Sequence, residues 1–147
     1  MSGYLLDTNV VSALAPGSLA RHRALAEWIG RNGPSLYLPS VVIAELSAGV
    51  AKLRRMGAAR RAEALDLWVM NVLRSFRRQV LTLDAEAALA TGMLLDRAQG
   101  LGLHPGFPDL AIAGVAVSRG LVVLTRNQRD FAPLGIATHD PFATLPE

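Results

Sequence analysis

The chain of 147 residues has no cysteine, three histidines, a single lysine (Lys52) and only 5% aromatic residues. Without cysteine neither a disulfide framework nor a thiolate zinc site can form. His22, His104 and His139 show no zinc-ligand spacing and are expected at the surface. No run approaches the roughly 20 apolar residues that span a bilayer, so no membrane partner is expected. Met1 to Asp7 lacks a basic region leading into a long apolar run, which reads against a signal peptide, and the missing cysteines are compatible with the expected reducing, cytoplasmic setting. A G-x-S-x-G elbow, a phosphate-binding G-x-x-x-x-G-K-[ST] loop and a G-x-G-x-x-G dinucleotide fingerprint are also missing. What remains is 51% hydrophobic, with 15 basic against 12 acidic residues and a net charge of +3. One domain over residues 1–147, with a core needing no covalent staples, is the expectation. All basic residues but Lys52 are arginine, which suits forked contacts to phosphate and follows equally from GC-rich codon usage.

Short apolar runs alternate with helical periodicity. Tyr4-Leu5-Leu6 reads as a strand. Asp7-Thr8-Asn9 turns the chain, with Thr8 or Asn9 placed to cap a helix over Val10 to Leu14. A second helix is expected over Leu19 to Ile29, and a second strand over Leu36 to Leu38. Pro39-Ser40 opens a helix whose Ile43, Leu46, Val50 and Leu53 recur at helical spacing. Gly57 marks a turn before a helix over Ala58 to Arg78. Val80 to Leu83 reads as strand three, and Asp84 caps Ala85 to Gln99. A Gly- and Pro-containing loop, Gly100 to Pro108, leads into a helix over Asp109 to Arg119. Leu121 to Leu124 is strand four, and Ile136 to Thr138 an edge strand. Uniformly apolar strands separated by helices imply an α/β fold with a parallel sheet covered on both faces. Trp28 and Trp68 fall among apolar positions and read as core or interface.

Asp7, Glu45, Asp109 and Asn127 each sit where an apolar segment meets a helix or turn. In open α/β sheets ligands bind beyond the carboxyl ends of the strands. Asp7 follows strand one and Asn127 follows strand four. Taken alone, Asp7 could be a helix cap, and Asp109 could serve only the positive end of a helix. Glu45, flanked by Val42, Ala44, Leu46 and Ala48, is expected to point into packed surroundings. No cation lies within a turn of it, so it needs a partner from elsewhere. Three carboxylates on one rim resist joint ionisation, and a hard divalent cation, Mg²⁺ or Mn²⁺, removes the conflict. Arg54, Arg55, Arg60 and Arg61 cluster about Gly57, as a solvated turn or as a contact for RNA or an acidic partner.

Four segments in order carry a resemblance: Leu5-Leu6-Asp7-Thr8-Asn9-Val10, then Ser40 to Leu46 with Gly49-Val50, then Pro108 to Ala113, then Leu124-Thr125-Arg126-Asn127 with Asp130-Phe131. Together they resemble the successive motifs of PIN-domain nucleases, and more narrowly the VapC-type toxins of toxin–antitoxin pairs. The resemblance covers essentially the whole chain. It implies a three-layer α/β/α sandwich around a short parallel sheet, and a Mg²⁺- or Mn²⁺-dependent endoribonuclease that hydrolyses RNA with metal-activated water. A homodimer silenced by a cognate antitoxin is also implied. Asp7, Glu45 and Asp109 match the acidic catalytic and metal-site positions, and Thr8, Asn9 and Thr125 match supporting polar positions. The family often has an acid in the turn after strand four, where this chain has Asn127, with Asp130 the nearest acid. Asn127 and Asp130 are thus both candidates for the fourth position, Asp130 from behind the ligands, and Arg126 for contact with the RNA backbone. A catalytically inactive RNA- or partner-binding module of the same fold is the alternative. Phosphatases and receiver domains that form an aspartyl phosphate fit less well. The former want an acid where Asn9 stands, and the latter want a late lysine.

Overall fold

The computed structural model describes residues 2–147. Five parallel strands form one sheet in the order β3-β2-β1-β4-β5: β1 (Tyr4–Leu6), β2 (Leu36–Pro39), β3 (Val80–Leu81), β4 (Val122–Leu124) and β5 (Thr138–His139). The chain leaves β1 toward β2 and β3, then returns to lay β4 on the other side of β1. Right-handed crossovers therefore divide the helices between the two faces. One layer holds α1 (Thr8–Ser12), α2 (Arg23–Arg31), α3 (Ser40–Arg55) and α4 (Ala59–Ser75). The opposite layer holds α5 (Ala85–Gly100), α6 (Phe107–Arg119) and the short α7 (Gln128–Phe131). The expected α/β/α arrangement is what the chain adopts.

The strands are short because each need only cross a thin core. Leu5, Leu6, Leu36, Leu38, Val123 and Leu124 are fully buried between the layers, as expected for a parallel sheet covered on both sides. On the far layer α5 and α6 approach closely at Gly114. A Cβ there would stand 2.0 Å from Thr91 Oγ1 and 2.8 Å from the Ala87 carbonyl oxygen. The Thr91 hydroxyl donates to that same carbonyl at 2.8 Å. Gly120, left-handed at φ 65°, ends α6 and turns the chain into β4, a conformation costly to any residue with a Cβ.

Several boundaries differ from expectation, each for a local reason. Asp7, not Thr8 or Asn9, caps α1: its backbone is extended and its Oδ1 accepts the Thr8 amide at 2.8 Å. The helix expected over Leu19 to Ile29 is a 3-10 turn (Leu19–Arg21) and α2, separated by His22 at φ −131° and ψ 38°. The helix expected to reach Arg78 stops at Ser75, and Gln79 then binds the carbonyls of Gly33 and Leu36, both at 2.6 Å. That bracing fixes β3 against β2, and β3 pairs only through Val80 and Leu81. α6 starts at Phe107, with Pro108 in its first turn where a missing N–H costs nothing. The edge strand is displaced to Thr138–His139. No described helix is long and apolar enough to cross a membrane.

Candidate functional site

The change in strand direction places the site. β1 and β4 are neighbours with Leu6 in register with Leu124, so the residues that follow them, Asp7 and Thr125, meet at the carboxyl edge of the sheet. Ligands in such folds gather where the strand order diverges. α1, α3 and α7 follow β1, β2 and β4 and begin at this edge, and α6, which precedes β4, begins there too. Four helix N-termini (α1, α3, α6 and α7) thus surround one rim, with their positive dipole ends turned toward it.

Asp7 is 4% exposed and wired on both carboxylate oxygens. Oδ1 accepts the Thr8 amide. Oδ2 accepts the Thr125 hydroxyl at 2.7 Å and the Asn9 side-chain amide at 3.3 Å. The Asp7 amide donates to the Leu124 carbonyl at 3.0 Å. Thr125 is fully buried, and its Oγ1 also accepts the Asn127 amide at 3.0 Å and the Asn9 amide at 3.3 Å. Asn9 Oδ1 in turn accepts the Arg126 backbone N–H at 3.1 Å. Thr8 donates its hydroxyl to Glu45 Oε1 at 2.6 Å. One hydrogen-bonded web therefore joins Asp7, Thr8, Asn9, Glu45, Thr125, Arg126 and Asn127, gathered from three separate parts of the chain.

Glu45 is half-buried rather than enclosed. The buried stripe of α3 runs through Val42, Leu46 and Val50, and Glu45 lies roughly a quarter-turn to one side of it at 3.6 residues per turn. Of its apolar neighbours Val42 and Leu46 face the core while Ala44 and Ala48 are exposed, and Glu45 faces the rim, where Thr8 is the partner that sequence could not supply. Asp109, in the first turn of α6, is also half-buried, whereas Asn127 and Asp130 are exposed. Arg126 is exposed, with its guanidinium 3.8 Å above the centre of the Phe142 ring. The arginines about Gly57 lie elsewhere: Arg55 is ten residues along α3 from Glu45, about 15 Å at helical rise. Arg54 pairs there with Asp66 at 3.1 Å.

The carboxylates feel one another. Burial pushes Asp109 up to about 6, and the charges of Asp7, Asp130 and Glu45 add to the rise. Burial likewise raises Asp7, partly offset by the Thr125 and Thr8 hydrogen bonds and augmented by Glu45 and Asp130. Asp130 therefore lies within the field of both residues even though its side chain is exposed. Among the described residues no three of these groups converge closely enough to form a ready-made ligand shell. The donor set is nonetheless all oxygen, desolvated and mutually repelling, and it suits a hard cation.

Sequence reasoning missed two contributors. The His139 carbonyl accepts the Thr125 amide at 3.0 Å, and Phe142 underlies Arg126. Both belong to the C-terminal segment, whose sequence carries no periodic signal. His22 and His139, expected at the surface, are half-buried against that same segment.

Known proteins share this architecture. Residues 4–135 match the PIN domain family. The chain is 32% identical over 139 residues to the VapC ribonuclease Y4jK of Sinorhizobium fredii, covering 94% of this chain and 96% of that protein. It is 31% identical over 140 residues to the plasmid stability protein StbB of Pseudomonas syringae pv. tomato, covering 94% and 97%. Among solved structures, FitAcB from Neisseria gonorrhoeae superposes with a TM-score of 0.79 at 27% identity, covering 95% of this chain and 98% of that one. DNA-bound VapBC from Salmonella typhimurium gives 0.75 at 29% identity, with the same coverage. The chain belongs to the PIN-domain family, among its VapC-type members.

Proposed function

We propose that this protein is an endoribonuclease that hydrolyses RNA phosphodiesters with divalent-metal assistance, acting in the cytoplasm as the toxin of a toxin–antitoxin pair. The observation that carries the reading is the Asp7–Thr125–Asn9 web at the divergence of β1 and β4, with Glu45 and Asp109 facing the same rim. Proteins similar to this chain are named ribonucleases, among them the tRNA(fMet)-specific endonuclease VapC of Shigella flexneri.

Asp7, Glu45 and Asp109 would hold Mg²⁺ or Mn²⁺. A bound cation supplies Lewis acidity to the phosphoryl oxygens and acidifies an attacking water. Asp7 is held in one orientation by Thr8 and Thr125, so its ligating direction is set before any ligand arrives. Thr8 orients Glu45. Asn127, with its amide anchored to Thr125, presents an exposed side chain whose carbonyl oxygen can accept from water, and Asp130 adds charge from behind. Arg126 meets the RNA backbone at the mouth.

An antitoxin segment would lie along α4. α4 packs against α3, and its remaining apolar surface opens toward α2. Ile29, Trp68, Val72 and Phe76 line a cavity of about 380 Å³ there, and Leu67 and Met70 project beyond it. On the opposite layer Leu89 and Met93 are exposed on α5, and this face would join two copies in a homodimer.

The test is cleavage of RNA by purified protein with Mg²⁺, Mn²⁺ or EDTA. Cleavage should require the metal and vanish in a folded Asp7→Asn variant. Undiminished cleavage in excess EDTA would remove the metal-assisted mechanism. RNA binding without cleavage under any metal would favour the inactive-module reading.

A further inference from the structure

Beyond the carboxylates, the C-terminal segment builds a second feature on the same rim. Its ends are pinned. The His139 carbonyl holds the Thr125 amide, and Trp28 Nε1 donates to the Pro146 carbonyl at 3.0 Å. Between them Asp140 Oδ1 accepts the Phe142 amide at 2.9 Å, which turns that carboxylate inward and sets the ring. His139 Nε2 meets the Thr144 carbonyl at 2.6 Å. Phe142 thus occupies a fixed place, with Arg126 over its face and His22 against it edge-on at 5.2 Å and 77°.

Two consequences follow. The Arg126 guanidinium has one face on an aromatic ring, and its outer face and N–H edge are turned to solvent. A planar cation backed in this way is preorganised to stack on a base or to fork onto a phosphate. Next to the ring lies a cavity of about 240 Å³ bordered by Arg21, His22, Arg23, Phe142 and Thr144. α2 opens at this cavity with no side-chain cap and no acid in its first turn. Arg21 and Arg23 are exposed, and neither forms an ion pair among the described residues, where Arg54 and Arg119 are the paired arginines. Arg21 makes only a long contact of 3.5 Å to Ser18. Basic side chains interleaved with an aromatic ring match the chemistry of single-stranded nucleic acid.

We propose that this cavity and the outer face of Arg126 form a subsite for single-stranded RNA adjoining the cleaved phosphate. Arg126 stacks a base with its outer face while its N–H edge meets the backbone, Phe142 positions Arg126, and Arg21 and Arg23 take the two neighbouring phosphates. Contacts run from Asp7 to Thr125, and from Arg126 by way of Phe142 to His22 at the start of α2. This inference rests on the ribonuclease reading, but binding can be measured apart from cleavage.

A fluorescent single-stranded RNA of about 12 nucleotides is titrated in EDTA onto the full chain and onto folded variants, with thermal melting as the fold control. The Arg21→Ala/Arg23→Ala pair should weaken binding about tenfold and lower the salt slope by about 1.4, from two phosphate contacts on a single strand. Phe142→Leu should weaken it about fivefold and Phe142→Tyr should restore it, while the KM for cleavage rises more than kcat falls. The Arg60→Ala/Arg61→Ala pair removes the same charge at the Gly57 turn and should bind as wild type does. Three results would each overturn the subsite: Arg21/Arg23 binding within twofold of wild type, an equal loss from the Arg60/Arg61 pair, or tighter binding of a duplex of the same sequence. RNA cleavage by a wild type whose binding ignores Arg21 and Arg23 sinks the subsite alone. Binding that follows the predicted pattern without cleavage in Mn²⁺ sinks only the nuclease.

Discussion

The Thr125 hydroxyl donates to Asp7 Oδ2 at 2.7 Å, linking residues 118 positions apart. Its remaining capacity is filled by the Asn127 and Asn9 amides, so one small side chain ties the ends of β1 and β4 to both flanking turns. Because that bond holds the buried Asp7 carboxylate toward its charged form, Thr125→Val should push Asp7 higher still. We expect cleavage at pH 7 to fall about 10–100-fold, as for residues that support a metal ligand. Activity should recover partly at higher pH, and Thr125→Ser should retain most of it. A pH–rate profile of the three proteins decides this, and an unshifted Thr125→Val profile would show that the hydroxyl only packs.

Asp109 links pH and stability. Its folded value of about 6 lies above the ordinary 3.8, so the folded state binds this proton more tightly than the unfolded chain does. The ionised group therefore costs stability above pH 6, the cost shrinks between pH 6 and 4, and it is absent below 3.8. In EDTA at pH 7, Asp109→Asn should stabilise the protein by about 1–2 kcal/mol, after discounting for partial exposure. That gain should disappear by pH 4. The same substitution should abolish cleavage. Denaturant melts across this range provide the check, and a pH-independent difference would contradict the sign.

The turn after β4 invites a graded comparison. Substitution of Asp7, Glu45 or Asp109 by its amide should remove activity. Asn127→Ala and Asp130→Ala should each reduce it by about 10–100-fold, with the deficit shrinking as Mg²⁺ is raised. Cleavage rates over a Mg²⁺ series resolve the two. If Asp130→Ala equals wild type at low Mg²⁺, Asp130 serves only the first turn of α7.

Gly114→Ala tests the α5–α6 contact. Its new methyl would meet Thr91 Oγ1 and the Ala87 carbonyl, and overpacking of this kind typically costs about 1–3 kcal/mol. Adding Thr91→Ala removes the nearer obstacle but not the backbone one, so it should restore part of the loss. A double-mutant cycle in urea measures the coupling, and strictly additive effects would mean that the helices shift apart freely.

In the proposed homodimer the exposed Leu89 and Met93 of α5 join the two copies. Leu89→Lys with Met93→Lys should convert a homodimer into a monomer by light scattering at micromolar concentration. A wild type that is already monomeric there would rule out this interface.

Local chemistry made much of this protein legible in its sequence. Apolar triplets between periodic segments spell a parallel α/β sheet, and Asp7, Glu45 and Asp109 stand out because carboxylates at the ends of apolar runs lack local partners. Asp84 announces its own helix, since an extended acid before Ala85 caps by a contact three residues away. Tertiary structure alone decided the rest, because it depends on contacts between distant residues. The sequence around Thr125 looks like any strand end until β4 settles beside β1 and aims its hydroxyl at Asp7. Glu45 reads as buried until the rotation of α3 brings it to Thr8. His104 is exposed as its sequence suggests, but His22 and His139 read as surface until the C-terminal segment folds over α2, and there Phe142, in a stretch without periodicity, acquires its place beneath Arg126.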